Sequence, residues 1–415
     1  MGIYGKNLTT GRDMNVRLGL YDGGKEILMS STKLLHWIFY VAFSVCLTFA
    51  ALQIGGYAEE APELKENSWR YSDGEALILD SPQYRLGAEN GESGAVSDAD
   101  NAWSFDGRNY INGDGDIIRG AYLKGIDVNE FNGEIDWERV KASGIDFVII
   151  RCGYGADREE YDDKYWLRNV SECERLGIPY GVYLYSYAES EEYAASEAEH
   201  ILRLLEGRSP QYPVYYDLED NSVGAKTNEE IARYAQIFCS AVENAGYDAG
   251  IYANRYWWEE KLTDAAFENG NWDKWVAEYN GSCGYAGRYS TWQCTNSGRV
   301  DGIDSNVDIN FLFAANNFSY ELSGGSLNVS MKVNSKDALL FLTKYDGEGD
   351  NITDATAAQA VAEGDIGKFG CIDASISIPV ADINTENIRL LIWHDRESDR
   401  VYTENIDPGL ISINN

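Results

Sequence analysis

Hydrophobic and polar positions follow two different periods along residues 120–313 of this chain. Short continuous apolar runs, rich in β-branched and aromatic residues, predict buried strands. Between them lie longer segments with apolar residues three and four positions apart, which predict amphipathic helices. This alternation of strands and helices predicts either a parallel barrel or a doubly wound sheet.

The individual elements follow from these runs and from the residues that bound them. An aspartate at position 136 is expected to cap one helix, and Gly177-Ile-Pro179 to end the next. The predicted strands are residues 122–127, 147–151, 180–187, 213–217, 250–253, 274–279, 289–294 and 307–311, and the predicted helices are 136–143, 165–176, 191–205, 228–245 and 257–267.

Three further regions flank this one and have different patterns. Residues 34–54 are charge-free and apolar over a membrane-spanning length, with basic residues before them and acidic residues after them. We therefore assign residues 1–58 to a tail with a signal peptide or a membrane anchor, with Met29 as an alternative start. Residues 59–118 are acidic and lack periodicity, so we expect a flexible linker or propeptide-like arm. Residues 316–415 alternate in short strands and predict a small β-sandwich domain.

Composition limits the partners and the kinds of catalytic site that the chain can have. The net charge of −34 argues against nucleic acid and anionic membrane surfaces as partners. Three histidines, His36, His200 and His394, are too few and too scattered for a zinc site or a histidine-dependent nucleophile. Seven cysteines show no metal-ligand spacing, although Cys283 and Cys294 could form a disulfide in an exported protein. Of the catalytic classes considered, catalysis by carboxylate side chains remains.

The predicted strand 213–217 ends in a cluster of three carboxylates, Asp217, Glu219 and Asp220. Side chains alternate along a strand, so Asp217 and Glu219 are expected on one side, about 6–7 Å apart. Two carboxyl groups this close suit glycoside hydrolysis, in which one stays protonated while the other stays charged. These acids could equally cap the next helix or bind calcium.

Seven motifs follow one another in an order that resembles glycoside hydrolase family 25, the Chalaropsis-type lysozymes. The resemblance covers about residues 120–313, and the motifs are specific because they occur in register rather than singly. They are GIDVN (125–129), FVIIRCGYG (147–155), GIPYGVYLYSY (177–187), YYDLE (215–219), WVAEY (275–279), TWQ (291–293) and VDIN (307–310). Cys294 departs from the family, which has an aromatic residue there, and this departure points to a Cys283–Cys294 bridge.

The resemblance implies an α/β fold, an irregular TIM-like (β/α)5(β)3 barrel over residues 119–315, with muramidase activity on peptidoglycan. Glu219 would be the general acid, with a pKa raised by crowding from its neighbours Asp217, Asp127 and Asp308. Asp217 would be either the nucleophile or, as the family's pattern favours, the group that orients the sugar's own acetamido oxygen for attack. Asp127 and Asp308 would tune charge and bind hydroxyls.

The resemblance also supplies candidates for the cleft wall. Tyr and Trp rings offer stacking faces for sugars, and Arg151 could bind the lactyl or peptide carboxylate. The candidate wall residues are Arg151, Tyr185, Tyr187, Tyr279 and Trp292. Burial in the barrel core is the alternative for each ring.

We expect a monomer outside the cell that acts on glycan strands, without a metal or organic cofactor and with residues 34–54 as its only membrane contact. Three alternatives stay open. A cluster of Asp301, Asp304 and Asp308 could bind calcium. The barrel could cut another N-acetylhexosamine polymer, or bind the wall without turnover.

Overall fold

The computed structural model describes residues 4–6, 17–22, 25–29, 61–76, 103–270, 272–334, 338–346, 351–359, 372–381, 383, 386–393 and 401–413. The chain divides into two compact units, Met1–Pro62 and Glu63–Asn415. In the first unit, the strands Tyr4–Lys6, Arg17–Asp22 and Lys25–Met29 form an antiparallel sheet. The predicted signal or anchor segment, residues 34–54, lies outside the described residues. Within the described part of the chain, no helix has the length and apolarity to cross a bilayer.

Eight strands of the second unit close into a barrel. The first seven run parallel, while the last is antiparallel to both of its neighbours, the seventh and the first. The strands are β1 Ala121–Val128, β2 Phe147–Tyr154, β3 Tyr180–Tyr185, β4 Val214–Asp217, β5 Ala249–Asn254, β6 Asp273–Ala277, β7 Thr291–Gly298 and β8 Val307–Phe313. Of the two sheet types that the alternation allowed, the chain forms the barrel.

Helices follow each of the first five strands, as the resemblance implied. They are Trp137–Ala142, Trp166–Leu176, Glu191–Leu204, Asn221–Gly224, Asn228–Asn244, Arg255–Glu260 and Ala266–Asn269, with 3₁₀ turns at Glu130–Asn132, Glu159–Tyr161 and Pro408–Leu410. Asp136 caps its helix as predicted, since its side chain accepts a bond from the backbone N–H of Arg139. Gly177 ends the next helix in the left-handed conformation.

The helix predicted over residues 257–267 is instead two short helices. Asp264 lies between them, and its side chain accepts a bond from the backbone N–H of Ala266 at 2.8 Å. A short polar side chain that bonds nearby backbone in this way starts a new helix rather than continuing the old one. The apolar spacing therefore missed the break between the two helices.

Two apolar layers result from the alternation of side chains in the barrel strands. Outward-facing residues pack against the helices, for example Ile126, Val148 and Ile150. Inward-facing aromatic residues fill the middle of the barrel, among them Tyr183, Tyr215 and Trp275. Because the middle is filled, a ligand can be bound only at an end of the barrel.

The described residues after the barrel form two four-stranded sheets. One contains Ile372–Pro379, Ser326–Val333, Ala315–Ser323 and Ser412–Ile413, and the other contains Ile352–Gln359, Leu339–Tyr345, Asn387–Trp393 and Tyr402–Asn405. Their buried residues are continuous with the inward-facing core of the barrel. Asn316 and Asn334 both donate to the backbone oxygen of Tyr289, which precedes β7. These sheets therefore cover the amino ends of the parallel strands, the lower end of the barrel.

The described parts of the predicted linker, residues 59–118, differ from a flexible spacer. Trp103 packs edge-on against Trp292 at 5.7 Å between ring centroids, and the Tyr110 hydroxyl donates to Asp146 at 3.0 Å. Residues 63–76 contact the carboxyl ends of the barrel strands, as described below. The prediction was wrong for these stretches because scattered aromatic residues anchor an otherwise polar sequence.

The Cys283–Cys294 bridge expected from the sequence is also absent from the structure, where both residues are free thiols. Cys294 is buried on β7, and its thiol donates to the backbone oxygen of Ile309 at 3.4 Å. Its side chain thus points into the layer between barrel and helices, where it packs as a small apolar residue.

Candidate active site

Four carboxylates gather at the carboxyl ends of the parallel strands, the upper end of the barrel. Asp127 is near the end of β1, Asp217 ends β4, and Glu219 follows two residues later. Asp308 comes from the start of β8, which is antiparallel, and it pairs directly with Asp127 across the two strands. The reversed direction of β8 is what brings its first residues to the same end as the last residues of β1.

Asp127 and Asp308 share a network of amide donors. The side-chain nitrogen of Gln293 donates to Asp127 at 2.8 Å and to Asp308 at 2.9 Å. Asn310 donates to the same oxygen of Asp127 at 2.7 Å. Burial raises the pKa of both carboxyl groups, and for Asp308 the charge of Asp127 adds to that effect. Two acids that face each other in this way hold a proton more readily than an isolated one.

Asp217 has the most isolated carboxyl group of the four. Burial, and after it the charge of Glu219, raises its pKa well above the ordinary value. Among the described residues, none donates a hydrogen bond to its buried Oδ1 atom. A buried acceptor without a donor is costly in a folded protein, so this oxygen suits a ligand N–H.

Glu219 is fully buried, and both of its oxygens are bonded by the guanidinium of Arg70. Nη2 of Arg70 lies 2.5 Å from Oε1, and Nε lies 3.1 Å from Oε1 and 3.3 Å from Oε2. The remaining nitrogen, Nη1, donates to Asp308 at 2.9 Å. One arginine from outside the barrel therefore neutralises two of the four carboxylates.

Arg151 lies on β2 and is bonded to three carboxylates. Its guanidinium contacts Asp163 at 2.9 Å, Glu130 at 2.9 Å and Glu66 at 2.5 Å. Asp163 and Glu130 belong to the barrel and its loops, whereas Glu66 belongs to the same stretch as Arg70. In this structure the guanidinium that was expected to bind a substrate carboxylate is bonded to three carboxylates of the chain itself.

Three of the predicted aromatic residues line the upper end. The Tyr185 hydroxyl donates to Asp220 at 3.0 Å, and its ring lies 5.1 Å from that of Tyr187. Tyr279 is half-buried, donates to Gln293 at 3.1 Å, and contacts Trp69 with ring centroids 4.8 Å apart. Tyr185 and Tyr187 are both buried in this structure, at 1% and 7% exposed, whereas Tyr279 is partly exposed.

Trp292 lies elsewhere, in the layer outside the barrel. It is fully buried, and its indole N–H donates to the backbone oxygen of Glu278 at 2.8 Å. Its ring packs against Trp103 and Phe311. The alternative interpretation of a core residue is the one that fits this position, and the neighbouring Gln293 faces the site instead.

Helix capping and calcium binding were the other roles considered for the acids. Asp220 caps the helix Asn221–Gly224, because its side chain accepts a bond from the Ser222 N–H at 2.9 Å. Asp301 pairs with Arg139, away from Asp308. Among the described residues, no group of three or more His, Cys, Asp or Glu side chains could hold a metal ion.

Sequence reasoning missed the amide groups and the arginine that organise the site. Gln293 is part of the TWQ motif and Asn310 of the VDIN motif, so their positions within motifs were the available signal. Arg70 lies in a polar stretch far from any motif. The pairs it forms span 149 residues to Glu219 and 238 residues to Asp308, which no local pattern predicts.

The barrel region is similar to known proteins. A family model for the glycosyl hydrolases family 25 matches residues 126–303. An autolytic lysozyme of Clostridium acetobutylicum is 26% identical over 188 residues, which are 45% of this chain and 55% of that protein. Lysozyme M1 of Streptomyces globisporus is 27% identical over 210 residues, 45% of this chain and 67% of that protein.

One solved structure is similar over a comparable part of the chain. The modular autolysin LytC from Streptococcus pneumoniae, solved with a synthetic peptidoglycan ligand, is 30% identical with a TM-score of 0.45 and covers 51% of this chain and 52% of that one. The chain therefore spans about half the length of the first relatives that it matches. On the family match together with these lysozyme relatives, the barrel formed around residues 126–303 belongs to glycosyl hydrolase family 25.

Proposed function

We propose that this protein is a muramidase that cuts the β-1,4 bond between N-acetylmuramic acid and N-acetylglucosamine in peptidoglycan. The observation that carries the proposal is the convergence of Asp127, Asp217, Glu219 and Asp308 at one end of the barrel. Carboxyl groups of different protonation state, gathered at strand ends, are what glycoside hydrolysis requires. The lysozyme relatives support peptidoglycan as the substrate.

In the proposed reaction, Glu219 donates a proton to the leaving glycosidic oxygen. Asp217 orients the 2-acetamido group of the sugar, whose carbonyl oxygen attacks the anomeric carbon, and water then opens the cyclic intermediate. The unpartnered oxygen of Asp217 supports this role, because it can accept the acetamido N–H. Asp127 and Asp308, held by Gln293, bind sugar hydroxyls and keep the charge of the site balanced.

The same proposal places the protein outside the cell, where its substrate lies, exported through residues 34–54 and working as a monomer. The autolysin and lysozyme relatives support a cell-wall location.

Digestion of purified peptidoglycan, with products reduced and read by mass spectrometry, tests the chemistry. The full chain and its Arg70→Ala variant are both used, because Arg70 occupies Glu219. Muramic acid at the reducing end is the expected result, and Glu219→Gln should slow the reaction by about 10²–10⁴-fold. Glucosamine at the reducing end would show that a different bond is cut.

Two further results would refute the proposal. Release of N-acetylglucosamine oligomers from chitin at a comparable rate would favour a broader N-acetylhexosaminidase. Retention on the wall without products, by both proteins, would favour a binding protein. Thermal unfolding of Glu219→Gln checks that a loss of rate is not a loss of fold.

A further inference from the structure

Residues 63–76, here named the mouth segment, lie across the upper end of the barrel. Glu66, Ser68 and Arg70 are each no more than 7% exposed, although the segment is too short to bury them by itself. Its backbone is joined to the loop after β4, since Asn67 N donates to Asp220 at 3.0 Å and Asn221 N donates to Asn67 O at 2.7 Å. The segment is therefore bound to the barrel through its side chains and its backbone.

A tight local fold presents Arg70 to the site. Asp73 and Gly74 have φ of 53° and 82°, and they connect the paired strands Tyr71–Ser72 and Glu75–Ala76. An Asp-Gly pair with positive φ at both residues is the favoured two-residue hairpin turn. Bonds from Gly74 N to Glu66 O at 2.9 Å and from Arg70 N to the Ser68 hydroxyl at 3.1 Å close the loop beside it. The segment thus has a compact local fold, in which Arg70 directly precedes the first strand of the hairpin.

Three side chains of the segment, those of Glu66, Trp69 and Arg70, occupy contacts that the proposed reaction needs. Glu66 places a carboxylate on Arg151, where a lactyl or peptide carboxylate would bind. Trp69 covers the ring of Tyr279, a face suited to stacking on a sugar. Arg70 bonds both oxygens of Glu219, so neither can reach a glycosidic oxygen.

We propose that the mouth segment is an intramolecular inhibitor, which must leave the upper end of the barrel before a glycan strand can bind. This inference rests on the proposed muramidase function, because it assigns inhibition to the same site. The segment imitates one substrate group, because Glu66 places a carboxylate on Arg151. Its Arg70 neutralises the carboxylate of Glu219. Activity then depends on displacement of the segment, by competition from the polymer or by cleavage of the chain that joins it to the barrel.

The ion pairs between the mouth segment and the barrel allow the segment to be displaced. The buried charges of the segment gain little over their hydrated state, because desolvation offsets most of the attraction in an ion pair. Residues 77–102 keep the segment covalently joined to Trp103, so its binding is intramolecular and is favoured over the binding of a free peptide. A segment with modest affinity therefore stays bound while it is tethered, and is lost by dilution once it is cut free.

The test compares full-length variants on insoluble peptidoglycan. Arg70→Ala removes the contact with Glu219, whereas Lys65→Ala removes one positive charge from an exposed position in the same segment, where it pairs with exposed Asp73. We expect Arg70→Ala to release muropeptides at least about tenfold faster than the natural chain, since loss of one partner of a buried charge pair weakens binding by more than that. Lys65→Ala should stay within about twofold.

A synthetic peptide of residues 63–76 provides an independent measurement. It should inhibit the Arg70→Ala protein competitively, and the same peptide with alanine in place of arginine should inhibit at least about tenfold less. A slower Arg70→Ala protein with a normal Lys65→Ala control would overturn the proposal, because Arg70 would then act in the reaction. Equal rates for all three proteins would also overturn it.

Binding separates failure of this inference from failure of the proposed function. The Glu219→Gln protein, with and without Arg70→Ala, is sedimented with peptidoglycan. If no variant releases products but Arg70→Ala increases the bound fraction, the segment blocks a binding site and the muramidase assignment is wrong. If neither rate nor binding changes, the segment does not block the site.

Discussion

The two ends of this barrel are both covered, but by opposite kinds of contact. At the lower end, the C-terminal sheets extend the inward-facing apolar core with residues such as Leu327 and Leu340, which are fully buried. At the upper end, the mouth segment is held mainly by ion pairs to Glu219, Asp308 and Arg151, with one aromatic contact, between Trp69 and Tyr279. Apolar burial stabilises in proportion to area, whereas buried ion pairs contribute little net free energy.

This difference indicates which cover is permanent. Separating the lower end would expose continuous apolar surface to water, with a large cost and no compensation. Separating the upper end exposes charged groups that water solvates well, so the cost of opening is small. The end with the four candidate carboxylates is thus closed by the kind of contact that can be reversed.

The largest effect is expected at the lower end. Leu327→Ala should lower the free energy of unfolding by about 2–5 kcal/mol, because the side chain is fully buried in the shared core and leaves a cavity. Denaturant unfolding measures this change. Leu410→Ala is the control, since Leu410 is 39% exposed and its loss should cost under about 0.5 kcal/mol. Similar costs for the two leucines would mean that packing does not seal this end.

A second effect depends on pH and concerns Glu197, which supports the upper rim. Its carboxylate accepts bonds from Tyr187 N at 2.7 Å and from the Ser186 hydroxyl at 2.9 Å, just after β3. Burial raises the pKa of Glu197 from 4.5 to about 7. Between these values the folded protein keeps a proton that the unfolded chain has lost, so stability should fall as pH rises from 4.5 to about 7.

That shift corresponds to about 3 kcal/mol. Glu197→Gln has no such proton to lose, and its stability should be flatter over the same range. Thermal unfolding at a series of pH values compares the two proteins. A fall of equal size in the variant would assign the pH dependence to other groups. The candidates are Asp127, Asp217 and Asp308, whose pKa values burial raises, and Asp273, with a pKa raised to about 6 by burial.

The smallest effect on stability is expected from the segment itself. Arg70→Ala should lower the free energy of unfolding by about 1.4 kcal/mol, the equivalent of the tenfold faster release expected above, because the segment can leave and water can then solvate the exposed carboxylates. Arg151→Ala is the matched contrast in the barrel wall. This change leaves the carboxylate of Asp163, whose side chain is 1% exposed, without its charged partner. It should lower the free energy of unfolding by about 3–5 kcal/mol. Urea unfolding of both variants shows whether the two arginines differ in this way.

Local sequence was sufficient for most of the barrel. The apolar run that begins at Phe147 and the capping residue Asp136 were predicted within a few positions, because strand burial and helix caps depend on neighbouring residues. The sequence also placed the carboxylates Asp127, Asp217, Glu219 and Asp308 at or beside strand ends, where the structure has them, since motifs in register mark those ends. Their convergence follows from the closure of the barrel.

Two features were harder to predict: which side of a strand faces inward, and which residues distant in sequence are in contact. Period-two alternation states that Trp292 and Gln293 point to opposite sides, but not which one faces inward. Gln293 faces inward because the upper end is polar and its amide bonds two carboxylates. Arg70 was missed because its partners are distant in sequence, although the Asp73-Gly74 turn beside it was a readable hairpin signal.

The reversed direction of β8 has a consequence for which changes the chain can tolerate. Asp308 comes just after the loop 299–306, whereas Asp127 and Asp217 come at the ends of strands entered from the other side. An insertion of one residue that shifts the pairing of β8 with β1 would turn Asp308 away from Asp127 and leave the other acids in place. The length of that loop, rather than the identity of its residues, is what keeps the fourth carboxylate in the site.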